Sequence, residues 1–223
     1  MIISHKHKFI FIHVHKVAGT SVTHALRPYT CWPQETIVTK VRQRMGSLPV
    51  DLPGRLPTGH HFSDHVTAAQ LKTAIAPNLY NQYYKFAFVR NPWDWQVSLY
   101  KYILKNKHHA KHDYVKQMSG FEEYLGWRFS EPKHKPWSLQ KNYLTGSNGE
   151  LIVDFVGRYE QLQTDFQRVL AHLKIKAQLP HLNKSRADDY RTYYSPRLSA
   201  QLFEYYQDDI EMFGYRPPVL LAS

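Results

Sequence analysis

Short apolar runs alternate with longer amphipathic segments along this chain. Residues 8–14 read Lys-Phe-Ile-Phe-Ile-His-Val, residues 84–89 read Tyr-Lys-Phe-Ala-Phe-Val, and residues 151–156 read Leu-Ile-Val-Asp-Phe-Val. Each run is rich in β-branched and aromatic residues, which is typical of strands buried in a parallel sheet. The pattern therefore predicts three buried strands at these positions.

Five amphipathic segments lie between and after the predicted strands and are predicted to be helices, at residues 20–26, 67–76, 93–105, 162–173 and 195–214. The second opens with the capping-box pattern Thr67-x-x-Gln70. The last opens with Ser195 followed by Pro196 and ends at Gly214. Alternating strands and helices predict a single α/β domain over residues 1–223, with a central parallel sheet in a three-layer α/β/α arrangement.

Composition adds a strong positive charge to this picture. The 223 residues include 29 Lys and Arg against 18 Asp and Glu, a formal net charge of +11 before any of the 14 histidines is protonated. Such an excess favours anionic partners. Cys31 is the only cysteine, so neither an intrachain disulfide nor a cysteine-based metal site is expected. No apolar run approaches the roughly 20 residues of a spanning helix, and we expect a soluble, cytoplasmic protein.

The first predicted strand leads into a turn with the features of a phosphate-binding loop. The turn and the start of the helix are formed by Lys16, Val17, Ala18, Gly19, Thr20 and Ser21. Backbone N–H groups and the helix dipole at such a turn favour a bound anion. The sequence departs from the nucleotide P-loop G-x-x-x-x-G-K-[ST], because its lysine precedes its glycine. A capped strand-to-helix turn with no ligand has the same pattern.

A second segment changes the interpretation. Residues 88–100 read Phe-Val-Arg-Asn-Pro-Trp-Asp-Trp-Gln-Val-Ser-Leu-Tyr. Together with residues 15–21, they resemble the two cofactor motifs of the carbohydrate sulfotransferases that use 3′-phosphoadenosine 5′-phosphosulfate (PAPS). The most similar branch contains the heparan and dermatan uronosyl 2-O-sulfotransferases and the chondroitin and HNK-1 enzymes. Residues 154–160, 179–185 and 208–215 resemble later segments of that family in the same order.

The resemblance implies roles for individual residues. The first motif would hold the 5′-phosphosulfate, through Lys16, Ala18, Gly19, Thr20 and Ser21. The second would hold the 3′-phosphate through Arg90 and Ser98. An arginine at the carboxyl end of a parallel strand suits this role, because ligands bind at that edge and its planar fork matches phosphate oxygens. The structural alternative for Arg90 is an ion pair with Asp94 at the start of the helix.

Sulfonate transfer also needs a base and positive charge over the bridging oxygen. Lys16 is the candidate for that charge. The resemblance places the base at His60, which follows Gly59 between the two motifs, and a histidine can exchange a proton near neutral pH. Alternatives in the same part of the chain are His61, His65, Glu35 and Asp64. We expect PAPS as co-substrate, no metal, and a hydroxyl acceptor on a carbohydrate, acidic carbohydrates included.

Several other interpretations stay open. His13-x-His15 places two imidazoles on one side of a strand, a pattern that also occurs in metal sites. Residues 158–160 could reach the nucleotide or only hold the end of the sheet, and residues 183–185 are candidates for lining the cofactor or the acceptor. A nucleotide kinase-like P-loop enzyme fits the fold but would need the usual P-loop lysine and a carboxylate for Mg²⁺. A basic protein that binds nucleic acid or another polyanion fits the charge, but the sequence has no recognisable nucleic-acid-binding motif.

Overall fold

A mixed, four-stranded sheet organises the fold in the computed structural model, which describes residues 1–30, 65–180 and 189–220. The strands lie in the order β1 (Ile2–Ser4), β2 (Phe9–Ile12), β3 (Tyr84–Val89) and β4 (Phe155–Arg158). Strands β2, β3 and β4 are parallel, whereas β1 is antiparallel to β2. The prediction of a parallel sheet is thus wrong at this edge. The turn between β1 and β2 is too short for a crossover, so the two strands must run in opposite directions.

The helices within the described ranges are α1 (Gly19–Leu26), α2 (Ala68–Ala74), α3 (Pro77–Gln82), α4 (Pro92–Lys105), α5 (His112–Lys116), α6 (Phe121–Ser130), α7 (Leu162–Leu173) and α8 (Pro196–Phe213). Single 3-10 turns lie at Arg27–Tyr29, Lys141–Tyr143, Tyr159–Gln161 and Tyr190–Tyr193. The five predicted helices are confirmed as α1, α2, α4, α7 and α8. Helices α3, α5 and α6 have no counterpart in the sequence-based prediction.

The predicted helix boundaries rest on caps that the structure contains. Thr67 and Gln70 form a reciprocal capping box at the start of α2. The Ser195 hydroxyl accepts a hydrogen bond from the Leu198 N–H, and Gly214 ends α8 in a left-handed conformation with φ 62°. Helix α2 ends two residues earlier than predicted. Pro77 explains the break, because a proline disfavours helical backbone at the preceding residue and itself begins α3.

The third predicted strand lies further along the chain than residues 151–156, so that prediction is wrong in position. Leu151 instead forms an isolated antiparallel bridge with Thr145. Pairing with β3 begins only after Asp154, whose carboxylate accepts the Lys85 N–H at 2.6 Å and contacts Lys85 Nζ at 2.8 Å. This ion pair, with Nζ inside the protein, fixes the register in which Phe155 lies opposite Phe86.

The register of β2 and β3 places the two predicted cofactor motifs side by side. All four residues of β2 are buried, as are the last five of β3. Ile12 lies opposite Ala87 in the parallel pair, so the segments that leave both strands emerge at the same edge of the sheet. Among the described residues, no helix combines the length and apolar character that crossing a membrane would require.

Candidate active site

The loop after β2 leads directly into α1. Lys16 and Ala18 both have left-handed backbone conformations, with φ 59° and 64°, which residues other than glycine seldom adopt. Ala18 is the N-cap residue of α1, and its carbonyl accepts the Val22 N–H at 3.1 Å. No side-chain cap is formed there within the described part of the chain. The first N–H groups of α1 therefore lack helical partners and are suited to an anion.

Gly19 is the first residue of α1 and lies against the imidazole of His13. A Cβ atom at position 19 would overlap the His13 ring. Gly19 is also buried, so there is no open space into which a side chain could turn. The close approach of loop and strand, rather than a positive φ, requires glycine at this position.

The Lys16 side chain lies over the ring of Tyr102 on α4, with 4.0 Å between Nζ and the ring centroid. This is cation–π distance, and it fixes the ammonium group beside α4. Burial lowers the pKa of Lys16, and the positive charge of Arg90 lowers it further. Two cations held close together in a partly buried place favour the binding of an anionic group between them.

Arg90 follows the last residue of β3, and its side chain contacts three neighbours. Its Nε donates to Asp94 at 2.7 Å, so the ion pair considered as a structural alternative is present. Its Nη1 donates to the backbone carbonyl of Lys16 at 3.3 Å. The guanidinium carbon lies 4.0 Å from the centroid of the Tyr159 ring. Because a guanidinium has five N–H donors, these contacts leave donors without a partner among the described residues.

Three hydroxyl groups that the resemblance assigns to the cofactor lie on helices α1 and α4. Thr20 is exposed and Ser21 half-buried at the start of α1. Ser98 is half-buried on α4, about two turns after its start. Within the part of the chain that the structure describes, none of these hydroxyls has a hydrogen-bond partner. No hydrogen bond within the described residues therefore competes with a ligand for these three donors.

Three histidines pack against one another beside the loop of residues 16–18. The His15 and His65 rings are stacked with 3.3 Å between centroids, and His13 lies 4.7 Å from His65. Burial lowers the pKa of both His13 and His15 to about 3, and repulsion from His65 adds to the effect. Among the described residues, no three or more His, Cys, Asp or Glu side chains are grouped so that they could hold a metal ion. The His13 and His15 imidazoles are therefore uncharged at neutral pH.

His65 is the only one of the base candidates that lies within the described residues. The others, His60, His61, Glu35 and Asp64, lie outside them. Residues 183–185 lie outside them as well. The Nδ1 atom of His65 is 3.1 Å from the carbonyl oxygen of His13, which ties this histidine to the segment after β2.

Comparison with known proteins identifies the family of this chain. The family model described as "Sulfotransferase family" matches residues 1–216. The chain belongs to the sulfotransferase family. It is 25% identical to Carbohydrate sulfotransferase 11 of Rattus norvegicus and of Mus musculus, over alignments that cover 98% of this chain and 67% of each relative. It is also 27% identical to an uncharacterized protein of Archaeoglobus fulgidus, over 56% of this chain and 96% of that protein.

Residues 158–160 of this sulfotransferase family member lie at the end of β4 and contact two parts of the protein, the second motif and the end of α8. The Tyr159 ring lies under the Arg90 guanidinium, and Glu160 Oε1 accepts the Asn91 N–H at 2.6 Å. Arg158 instead donates to backbone carbonyls at the end of α8. Sequence analysis left both a role at the nucleotide and a role at the sheet end open. Tyr159 and Glu160 contact the second motif, and Arg158 joins the sheet to the C-terminal helix.

Gln140 and Asp209 are part of this surrounding structure and were not found by sequence analysis. The Gln140 side chain forms hydrogen bonds with the backbone of Arg90. The Asp209 carboxylate accepts the backbone N–H groups of Gln140 and Lys141, at 2.7 and 2.8 Å. Burial raises the pKa of Asp209 to about 7. No local pattern marks either residue, because both act through backbone atoms some 50 to 70 positions away.

Proposed function

We propose that this chain transfers a sulfonate group from PAPS to a hydroxyl of a carbohydrate by in-line displacement. Family membership supports sulfonate transfer, and the donor and acceptor are our inference. The observation that carries it is the contact between the two motifs, where Arg90 Nη1 donates to the Lys16 carbonyl at 3.3 Å. Two anionic groups of one nucleotide could thus be bound at neighbouring positions on one edge of the sheet.

The donor would bind with its phosphosulfate at the start of α1. In this proposal, the loop is P-loop-like and uses Lys16, Ala18, Gly19, Thr20 and Ser21. The 3′-phosphate would be bound by Arg90 and Ser98. The available groups fit such a nucleotide, because they combine uncapped backbone N–H groups, free hydroxyls and two cations. A hydrogen bond that involves a charged group contributes about 1.5–3 kcal/mol, so several of them would hold the donor firmly.

The transfer step then moves only the sulfonate group of the bound donor. The acceptor oxygen forms a bond to sulfur as the bond between sulfur and the phosphate oxygen breaks, and adenosine 3′,5′-bisphosphate leaves. His60 would take the hydroxyl proton. Lys16 would stabilise the negative charge that develops on the leaving oxygen, a role for which a partly buried ammonium group is well suited.

The surface next to Lys16 supports a carbohydrate acceptor. The Tyr102 ring, which carries the Lys16 ammonium on its face, is 40% exposed, and exposed rings can pack against sugars. His109 lies edge-on to Tyr102, with 5.7 Å between centroids. Residues 101–116 contain five lysines and one aspartate. In the sequence, this segment follows Ser98, the last of the proposed donor contacts. Its positive charge favours an acidic carbohydrate.

A transfer assay with sulfur-labelled PAPS tests the function directly. We expect label on at least one glycan from a panel of acidic glycans, neutral glycans, lipids and small alcohols. Adenosine 3′,5′-bisphosphate should raise the melting temperature, since a ligand that binds the native state stabilises it. ATP lacks the 3′-phosphate and should raise it less. Magnesium-dependent ATP turnover would point instead to a kinase, and polyanion binding without bisphosphate binding to a basic binding protein. The cytoplasmic location stays a prediction.

A further inference from the structure

The backbone of Arg90 is held on both of its polar atoms by a single side chain. The Arg90 N–H donates to Gln140 Oε1 at 2.9 Å, and Gln140 Nε2 donates to the Arg90 carbonyl at 2.7 Å. Gln140 is completely buried. An amide side chain offers one acceptor and one donor group, so this pairing copies the hydrogen bonds that a neighbouring strand would provide. Arg90 is therefore fixed one residue beyond the end of β3.

Gln140 is fixed in turn by α8. Its backbone N–H and that of Lys141 donate to the two oxygens of Asp209, at 2.7 and 2.8 Å. Asp209 is completely buried, and a buried carboxylate is tolerated when hydrogen bonds satisfy it. Lys141 Nζ also contacts Asp208 at 2.7 Å. The segment that carries Gln140 is thus anchored independently of the sheet.

These contacts fix the backbone from which the Arg90 side chain extends. The direction of a side chain follows from its backbone conformation. The pairing of β3 with β4 ends at Val89, so within the described residues no strand pairs with Arg90. Without Gln140, the two polar backbone atoms at position 90 would lose their protein partners and the residue could rotate. The guanidinium would then move away from Lys16 and Tyr159, where the donor phosphate is proposed to bind.

We propose that Gln140, held by Asp209, is a positioning residue that directs Arg90 toward the 3′-phosphate of the donor. This inference rests on the proposed function. It predicts an effect on one phosphate of the ligand only, because within the described ranges Gln140 forms hydrogen bonds with Arg90 and Asp209 and with none of the residues proposed to bind the 5′ group. A purely structural role would weaken the binding of all nucleotides alike.

The test compares adenosine 3′,5′-bisphosphate with adenosine 5′-monophosphate by titration calorimetry. Gln140→Met keeps the length of the side chain and removes both hydrogen bonds. We expect about a tenfold loss of affinity for the bisphosphate, which corresponds to about 1.4 kcal/mol, and no change for the monophosphate. In the Arg90→Ala background, Gln140→Met should cause no further loss, since the two residues act as one unit. Asp209→Asn should change the ratio in the same direction and provides a second variant if Gln140→Met does not fold.

Gln70→Met is the matched control. Gln70 Oε1 also accepts a backbone N–H, that of Thr67 at 3.0 Å, but at the start of α2. The loss of this hydrogen bond in Gln70→Met should lower the melting temperature and leave the affinity ratio of the two nucleotides unchanged. Equal losses for both nucleotides in folded Gln140→Met or Asp209→Asn, or no loss for either, would overturn the positioning role. If the wild-type protein bound the two nucleotides equally well, the proposed 3′-phosphate site would itself be wrong.

Discussion

Arg90 Nη1 donates a hydrogen bond to the backbone carbonyl of Lys16, across 74 positions of sequence. The contact joins the segment that follows β2 to the segment that follows β3. It also brings two positive charges close enough for Arg90 to lower the pKa of Lys16.

Arg90→Ala should weaken the binding of adenosine 3′,5′-bisphosphate about ten- to a hundredfold, because a charge-assisted contact of about 1.5–3 kcal/mol is lost. Calorimetry measures this directly. Arg90→Lys keeps the charge but loses the planar fork, so its affinity should lie between those of the wild type and Arg90→Ala. An Arg90→Ala protein that bound the nucleotide normally would leave only the ion pair with Asp94 as a role for this residue.

Lys16→Ala should damage turnover more than donor affinity. Its charge matters most when the bridging oxygen becomes negative, and the loss of one such donor typically lowers kcat by about 10²–10³-fold. The measurement is kcat at saturating PAPS. Lys72→Ala removes an exposed lysine of α2 and should have no effect. Unchanged turnover in Lys16→Ala would show that its catalytic assignment is wrong.

Gly19→Ala should lower both stability and donor affinity, because a Cβ at this position overlaps the His13 ring. Either the His13 ring or the start of α1 must shift, which would disturb the proposed phosphate site. Thermal unfolding and bisphosphate titration measure the two effects. In the background of His13→Ala, which removes the obstructing ring, Gly19→Ala should lower stability and donor affinity far less. The same cost in both backgrounds would mean that the contact with His13 is not the cause.

His13 and His15 should make the folded state less stable as the pH is lowered through 6.5, against a smaller opposite contribution from Asp209, whose pKa is raised to about 7. The folded state holds the pKa of His13 and His15 at about 3, below their ordinary value of 6.5. Their contribution is therefore fully present above pH 6.5 and is lost between pH 6.5 and 3. Within that range, each histidine changes the free energy of unfolding by about 1.4 kcal/mol per pH unit. Chemical denaturation at pH 7, 6 and 5 measures it.

His15→Phe should make this acid slope shallower by about one proton, because it removes one of the two imidazoles whose pKa the folded state lowers to about 3. His108→Gln is the matched control, since that side chain is exposed on the surface, and its slope should equal that of the wild type. A slope in His15→Phe as steep as the wild-type slope would contradict the assignment.

His60→Ala should lower turnover by about 10²–10⁴-fold, the usual range for the loss of a general base. Donor binding should survive, because His60 belongs to neither proposed phosphate site. The fall in rate at acid pH should vanish from the residual activity of the variant. His61→Ala and His65→Ala measured in parallel identify a shifted alignment. If none of the three histidines matters, Glu35 and Asp64 become the candidates.

Much of the fold follows from the sequence alone, because its causes are local. Strand β3 was predicted with its observed bounds, since the apolar run of residues 86–89 ends sharply at Arg90. The capping box of Thr67 and Gln70 and the Ser195 and Gly214 ends of α8 were also predicted, because a cap involves residues three or four positions apart. The order of the motifs likewise predicted the family that residues 1–216 match.

Only the tertiary structure decided how the site is assembled. The sequence placed the third strand at residues 151–156, whereas the ion pair of Lys85 and Asp154 starts β4 at Phe155. The contact of Gly19 with His13 and the hold of Gln140 on Arg90 join distant segments. Such contacts depend on which strands lie side by side and in which register. That choice is made by packing of the whole core, and no local pattern of residues encodes it.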